Sequence, residues 1–160
     1  MIPPRIAYLE ISPRQTGKTE RLVRHAKSCL AAGKRVCFVT LQGSVEDIRY
    51  RLPGAFIWGN DEEVPCREDD EGVIWFYDEF DWLDSTKIHA GAYYATTPKF
   101  LRTLGEQTAE NDLLLGLIEA NDRQLCRYTW PVDLSDILKE ARASYSPEEF
   151  RLLYLGEFLK

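Results

Sequence analysis

No stretch of this 160-residue chain is apolar for long enough to cross a membrane, and its start, Met1 to Ile11, lacks the charged lead and apolar run of a secretory signal. The expected location is therefore cytoplasmic, without membrane contact. The cysteines Cys29, Cys37, Cys66 and Cys126 include no CxxC pair and have no histidine at ligand spacing, so neither a zinc site nor a disulfide framework is expected. They read as reduced thiols, most of them buried. A basic excess is missing too: the net charge of −6 argues against a protein that coats nucleic acid, because neutralising phosphates takes clustered Lys and Arg. Internal repeats, low-complexity runs and dividing linkers are absent, which leaves one domain over residues 1–160 as the expectation.

What is present is unevenly placed. Arg5, Arg14, Lys18, Arg21, Arg24, Lys27, Lys34 and Arg35 make the first 35 residues positive, whereas Asp61 to Asp84 is rich in carboxylates with only Arg67 against them. Any DNA partner would have to be met locally, or through a ring of subunits or companion proteins. The hydrophobic content of 44% suits a compact core.

Ile6 to Ile11 is a short apolar, β-prone run, followed by a segment from Lys18 whose Leu22, Val23, Ala26, Cys29 and Leu30 share one helical face and which Gly33 closes. Val36 to Thr40 is a second strand, making a βαβ unit with parallel strands. Val73 to Tyr77 is apolar throughout as well, the pattern of strands covered on both faces. Ser44 to Leu52 reads as a helix, Ala55 to Trp58 as a short strand, and Gly59 to Gly72 as a solvated connection. Tyr93 to Thr97 is another strand, Lys99 to Asn121 one or two helices broken near Gly105, and Leu125 to Trp130 a last strand. Two helices finish the chain, the second starting at Ser146-Pro147-Glu148-Glu149 and including Phe150 to Phe158. The class expected is α/β, a mainly parallel sheet flanked by helices.

Two motifs carry chemistry. Ser12-Pro13-Arg14-Gln15-Thr16-Gly17-Lys18-Thr19 fits the phosphate-loop pattern GxxxxGK[ST], with serine in place of the first glycine, and it lies between a strand and an amphipathic helix. Backbone N–H groups of such a loop and the helix start form an anion-binding concavity; Lys18 reaches the β and γ phosphates, and Thr19 can ligate Mg2+. Downstream, Val73-Ile74-Trp75-Phe76-Tyr77-Asp78-Glu79 is an apolar strand ending in two acids. Asp78 would hold Mg2+ through its water shell, and Glu79 would orient or deprotonate a water attacking the γ-phosphate. The ligands expected are ATP and Mg2+. Asp81 and Asp84 read as surface or capping carboxylates.

With these residues placed, the chain resembles the ATPase domain of the phage terminase large subunit, a motor that packages viral double-stranded DNA. Ser12 and Arg14 within the loop, the pair Asp78-Glu79, a coupling phrase Ala95-Thr96-Thr97-Pro98, and Ser146-Pro147-Glu148-Glu149-Phe150 leading into Tyr154-Leu155-Gly156-Glu157-Phe158 carry the likeness in that order. The resemblance implies a P-loop NTPase fold of the RecA or ASCE kind. It implies Thr96 and Thr97 as γ-phosphate sensors, Arg14 as a finger or sensor within its own loop, and a portal, a procapsid and a homo-oligomeric ring as partners. Arg102 is a candidate to reach a neighbouring subunit, against the plainer reading of a solvated surface charge. Lys87, Lys99 and Arg102 are candidate DNA contacts. No nuclease domain is expected. A nucleoside kinase similar to thymidine kinases, a helicase-like ATPase, and a nucleotide-dependent virion assembly protein stay open as alternatives.

Overall fold

The computed structural model of the protein describes residues 4–62, 72–130 and 133–160. Strands β1 (Tyr8–Ile11), β2 (Arg35–Thr40), β3 (Phe56–Gly59), β4 (Val73–Asp78) and β5 (Tyr93–Thr96) make one sheet in the order β1-β5-β4-β2-β3. Every pairing is parallel, with Ile11 beside Thr96 and Asp78 beside Ala95. Helices α1 (Lys18–Ala31) and α2 (Val45–Arg51) cover one face, where Leu22, Val23, Ala26 and Ile48 pack on Val36, Phe38, Phe76 and Ala95. Helix α3 (Leu113–Ala120) covers the other through Leu114 and Leu117, against Leu9, Ile11, Val39, Tyr77 and Tyr94. Side chains alternate between faces along a strand, so a strand buried on both must be apolar at every step. The α/β expectation is met. The order places the strand carrying Thr96 between the strand that enters the phosphate loop and the strand that ends in Asp78.

Departures from the sequence reading have local causes. Between residues 99 and 112 no helix forms: the Gln107 side chain accepts from the Thr103 N–H, the Asn111 side chain accepts from the Thr108 N–H, and Gly105 is left-handed. Such short side-chain bonds compete with the helical ladder. α3 starts only where Asp112 caps it by accepting from the Leu115 N–H at 3.0 Å. The expected strand from Leu125 to Trp130 shrinks to one bridge on the open edge of β1, where Cys126 bonds Leu9 and Ile11. Two residues on, the Tyr128 N–H turns to the Ser12 hydroxyl and leaves the ladder. Helices α4 (Ser135–Ser144) and α5 (Pro147–Tyr154) close the chain, and Ser146 caps α5 as its sequence foretells. α5 stops at Tyr154, short of Phe158, because Gly156 takes φ +65°.

Of the cysteines, Cys37 is buried while Cys29 and Cys126 are only half-buried, so the expectation that most are buried holds for Cys37 alone among them. Cys66, Arg67 and most of the Gly59 to Gly72 connection lie outside the described residues. Among the described residues no helix is long and apolar enough to cross a membrane.

Truncating the α3 residue Leu117, fully buried on the sheet, should cost about 2–5 kcal/mol as Leu117→Ala, read as a lowered urea midpoint at unchanged slope.

Candidate functional site

The phosphate loop leaves β1 at Ser12, whose side chain is fully buried. That burial accounts for serine where glycine is usual: its hydroxyl accepts from Tyr128 N–H, and its carbonyl accepts from the Thr97 hydroxyl at 3.0 Å. The Pro13 carbonyl accepts from the Thr16 hydroxyl at 2.9 Å and the Lys18 ammonium at 3.1 Å, curling the loop on itself. Gln15 and Gly17 are both left-handed, with φ of 56° and 89°. α1 begins directly after Gly17 with no side-chain cap, so its first N–H groups keep no protein side chain for themselves. Arg21, one turn in, lies against Gly17, grips the fully buried Glu10 of β1 with two bonds of 2.6 and 3.0 Å, and stacks on Tyr128. That contact fixes the helix start relative to the sheet.

At the end of β4, two strands into the sheet from β1 and the loop, the acids arrive. Lys18 Nζ stands 3.3 Å from Glu79 Oε1, and the Thr19 hydroxyl donates to Asp78 Oδ2 at 3.0 Å. The Thr40 hydroxyl at the end of β2 donates to the same oxygen at 3.3 Å. Glu79 is left-handed at φ 55°, and its Oε2 accepts from the Thr97 N–H at 3.4 Å. Burial, reinforced by the adjacent Glu79 carboxylate, pushes the Asp78 carboxyl up to about 7. Burial raises Glu79 as well, against the pull of Lys18. The Lys18 ammonium opposes both rises.

Asp78 Oδ1 is buried and has no hydrogen-bond partner. With the Thr19 hydroxyl on the same carboxylate, this orphaned oxygen fits Mg2+, which takes one or two carboxylates and completes its shell with water and phosphate oxygens. Among the described residues no group of three or more His, Cys, Asp or Glu is placed to hold a metal ion. A cleft of about 620 Å³ runs over Gly17, Lys18 and Thr19 and is bounded by Glu79 and Thr97. Its size is that of a small-ligand site.

Most of the residues singled out from sequence converge here; some do not. Arg14 is exposed at the cleft mouth, its backbone N–H bonded to the Leu153 carbonyl at 2.9 Å. Thr97 lines the cleft, but Thr96 does not: its hydroxyl accepts from the Asp81 N–H and donates to the Thr97 carbonyl. Arg102 is not a surface charge and cannot reach a neighbour or DNA, because its side chain is 1% exposed and bound to Asp81 and Asp112. The side chain of Asp81, read as a surface or capping carboxylate, is 6% exposed, whereas Asp84, Lys87 and Lys99 are exposed. Sequence reasoning missed Trp82, Leu41 and Leu153 in the cleft wall. Trp82 Nε1 donates to the Thr97 carbonyl at 2.9 Å, and its position three residues past Glu79 was the available signal. Gly156, named from sequence only within the closing phrase, packs on the loop: a Cβ there would stand 2.8 Å from Pro13 N and 2.9 Å from Ser12 C.

No family model matches the sequence, and no curated protein matches it. A solved structure does share the fold: the ATPase domain of the large terminase of Thermus phage P74-26, determined as an arginine-to-alanine mutant. The two superpose with a TM-score of 0.54 over 99% of this chain and 90% of that one, at 16% identity. The likeness is one of fold, and it falls on the family that the sequence motifs resemble.

Gly156→Ala should lower stability at least twice as much as Gly33→Ala, for which left-handed backbone alone costs about 1–2 kcal/mol. Both glycines have positive φ, but a methyl group at Gly33 would meet nothing within 4 Å, while one at Gly156 would run into the loop backbone. Paired denaturation curves give the comparison.

Proposed function

We propose that this chain is a Mg2+-dependent ATPase serving as the motor domain that drives double-stranded DNA into a viral procapsid. One observation carries the catalytic half of this reading: Lys18 and Glu79 meet at 3.3 Å, and Thr19 and Asp78 at 3.0 Å, along a cleft large enough for a nucleotide. The fold shared with a terminase ATPase domain supports the motor half.

In this reading the loop amides from Gln15 to Thr19 cradle the phosphates, and Lys18 moves from Glu79 to the β and γ oxygens. Thr19 and Asp78 hold Mg2+, whose contribution when bound is to neutralise charge on the phosphate oxygens. Glu79, released from Lys18, orients the attacking water and takes its proton. Thr97 senses the γ-phosphate, since its N–H already bonds Glu79 and its hydroxyl the Ser12 carbonyl. Arg14 stands ready in the same loop to meet charge on the transferred group. Thr96 acts behind Thr97 and not on phosphate. The portal, the procapsid and a ring of like subunits are the partners that convert turnover into DNA movement; Lys87 and Lys99 remain the DNA-facing candidates.

Glu79→Gln should keep ATP-dependent thermal stabilisation while turnover falls by about 100-fold or more. Lys18→Ala should lose both the stabilisation and turnover. Wild-type-like hydrolysis in either variant would remove these roles, and a phosphorylated nucleoside as product would favour the kinase alternative. Stimulation of turnover by portal and DNA separates a packaging motor from a helicase-like ATPase or an assembly protein.

A further inference from the structure

The proposed chemistry leaves one buried charge cluster unused. Arg102 is 1% exposed, and the side chains of Asp81 and Asp112 are 6% and 7% exposed. The Arg102 guanidinium donates to both Asp81 oxygens, at 2.7 and 2.9 Å, and through Nε to Asp112 at 3.1 Å. It also donates to the Phe100 carbonyl and lies over the Phe100 ring. A buried group of this kind pays desolvation for every charge, and apolar side chains of the same volume usually serve stability as well or better. What a forked guanidinium supplies beyond stability is direction.

The direction is toward the catalytic turn. The 3-10 turn Phe80–Trp82 follows Glu79 without a break, and Glu79 is the left-handed residue that starts it. Phe80 is fully buried, the Asp81 N–H bonds Thr96 Oγ1, and Trp82 Nε1 bonds the Thr97 carbonyl. Asp81 Oδ2 also accepts from the Lys99 N–H at 2.8 Å. On its far side Arg102 is anchored three ways: by Asp112, which caps α3, by its own N–H to the Phe158 carbonyl at 2.7 Å, and by its carbonyl, which accepts from the Lys160 N–H at 2.9 Å. Arg102 does not line the cleft and so cannot touch nucleotide.

We infer that Arg102 is a positioning residue for hydrolysis: by holding Asp81 with a two-pronged grip, it fixes the turn that aims the Glu79 carboxylate at the attacking water. This rests on the ATPase reading above. Lysine keeps the charge but lacks the fork, so it loses the direction. Asn at position 81 keeps the shape but cannot accept on both atoms.

Arg102→Lys and Asp81→Asn test the inference in the full chain by three readings: ATP turnover, nucleotide dissociation constant, and backbone hydrogen exchange at residues 79–82. The expected result is kcat down by at least about tenfold, affinity for ATP within about threefold of wild type, and faster exchange confined to that turn. Two variants are used so that misfolding of one leaves the other to decide. Turnover within about twofold of wild type in a folded variant overturns the inference. So does exchange that rises equally across β1, β4 and α3, which marks a structural residue only. A wild-type protein that binds ATP without hydrolysing it sinks the ATPase reading instead; the positional claim then stands or falls on exchange, retained if acceleration is confined to 79–82 and overturned if that turn is unchanged.

Discussion

An ammonium group buried beside a pair of adjacent carboxylates is the interaction around which this molecule is arranged. Lys18 is 5% exposed, Asp78 2%, and the Glu79 carboxylate lies 3.3 Å from the ammonium. Burial raises the proton affinity of both acids, with the Lys18 ammonium opposing the rise at each. Glu79 adds backbone strain of about 1–3 kcal/mol by its left-handed conformation. A domain tolerates such a concentration of cost only where the surrounding frame is rigid. Here the frame is a parallel sheet covered on both faces, whose strand ends deliver Ser12, Asp78 and Thr97 to one edge.

The second support comes from the far end of the chain. Leu153 receives the Arg14 N–H, Gly156 lies flat against Pro13, and residues 158–160 pair with Arg102. The C-terminal segment therefore touches the phosphate loop at one point and the anchor of the catalytic turn at another, within a few residues. Both the loop and the turn contain left-handed residues other than glycine, Gln15 and Glu79. External bracing is what such conformations need in order to persist.

Much of this was legible in the sequence, and the reasons differ by element. The strands could be read because burial on both faces demands uninterrupted apolar residues. The loop and the acid pair could be read because phosphate binding restricts residue type at fixed spacing. Of the one or two helices expected from Lys99 to Asn121, α3 forms but none precedes it, because Leu and Ile content says nothing about the Gln107 and Asn111 side chains, which satisfy the backbone locally. Arg102 and Asp81 look like surface charges in isolation; only folding brings residues 21 positions apart into one ion pair. Thr96 and Thr97 are chemically alike, but Thr96 ends β5 and Thr97 lies just beyond it, and their hydroxyls go to different partners, the Thr97 carbonyl and the Ser12 carbonyl.

The strand β5 is joined on one side to β1 and on the other to β4, with Thr96 opposite Ile11 and Ala95 opposite Asp78. A slip of one position in that pairing would exchange the inward and outward sets of its side chains, driving Tyr94 out of one core layer and Ala95 out of the other. The geometry of the cleft is thus locked to the integrity of both hydrophobic layers. A slip of register would therefore disrupt both layers at once, and the cleft with them.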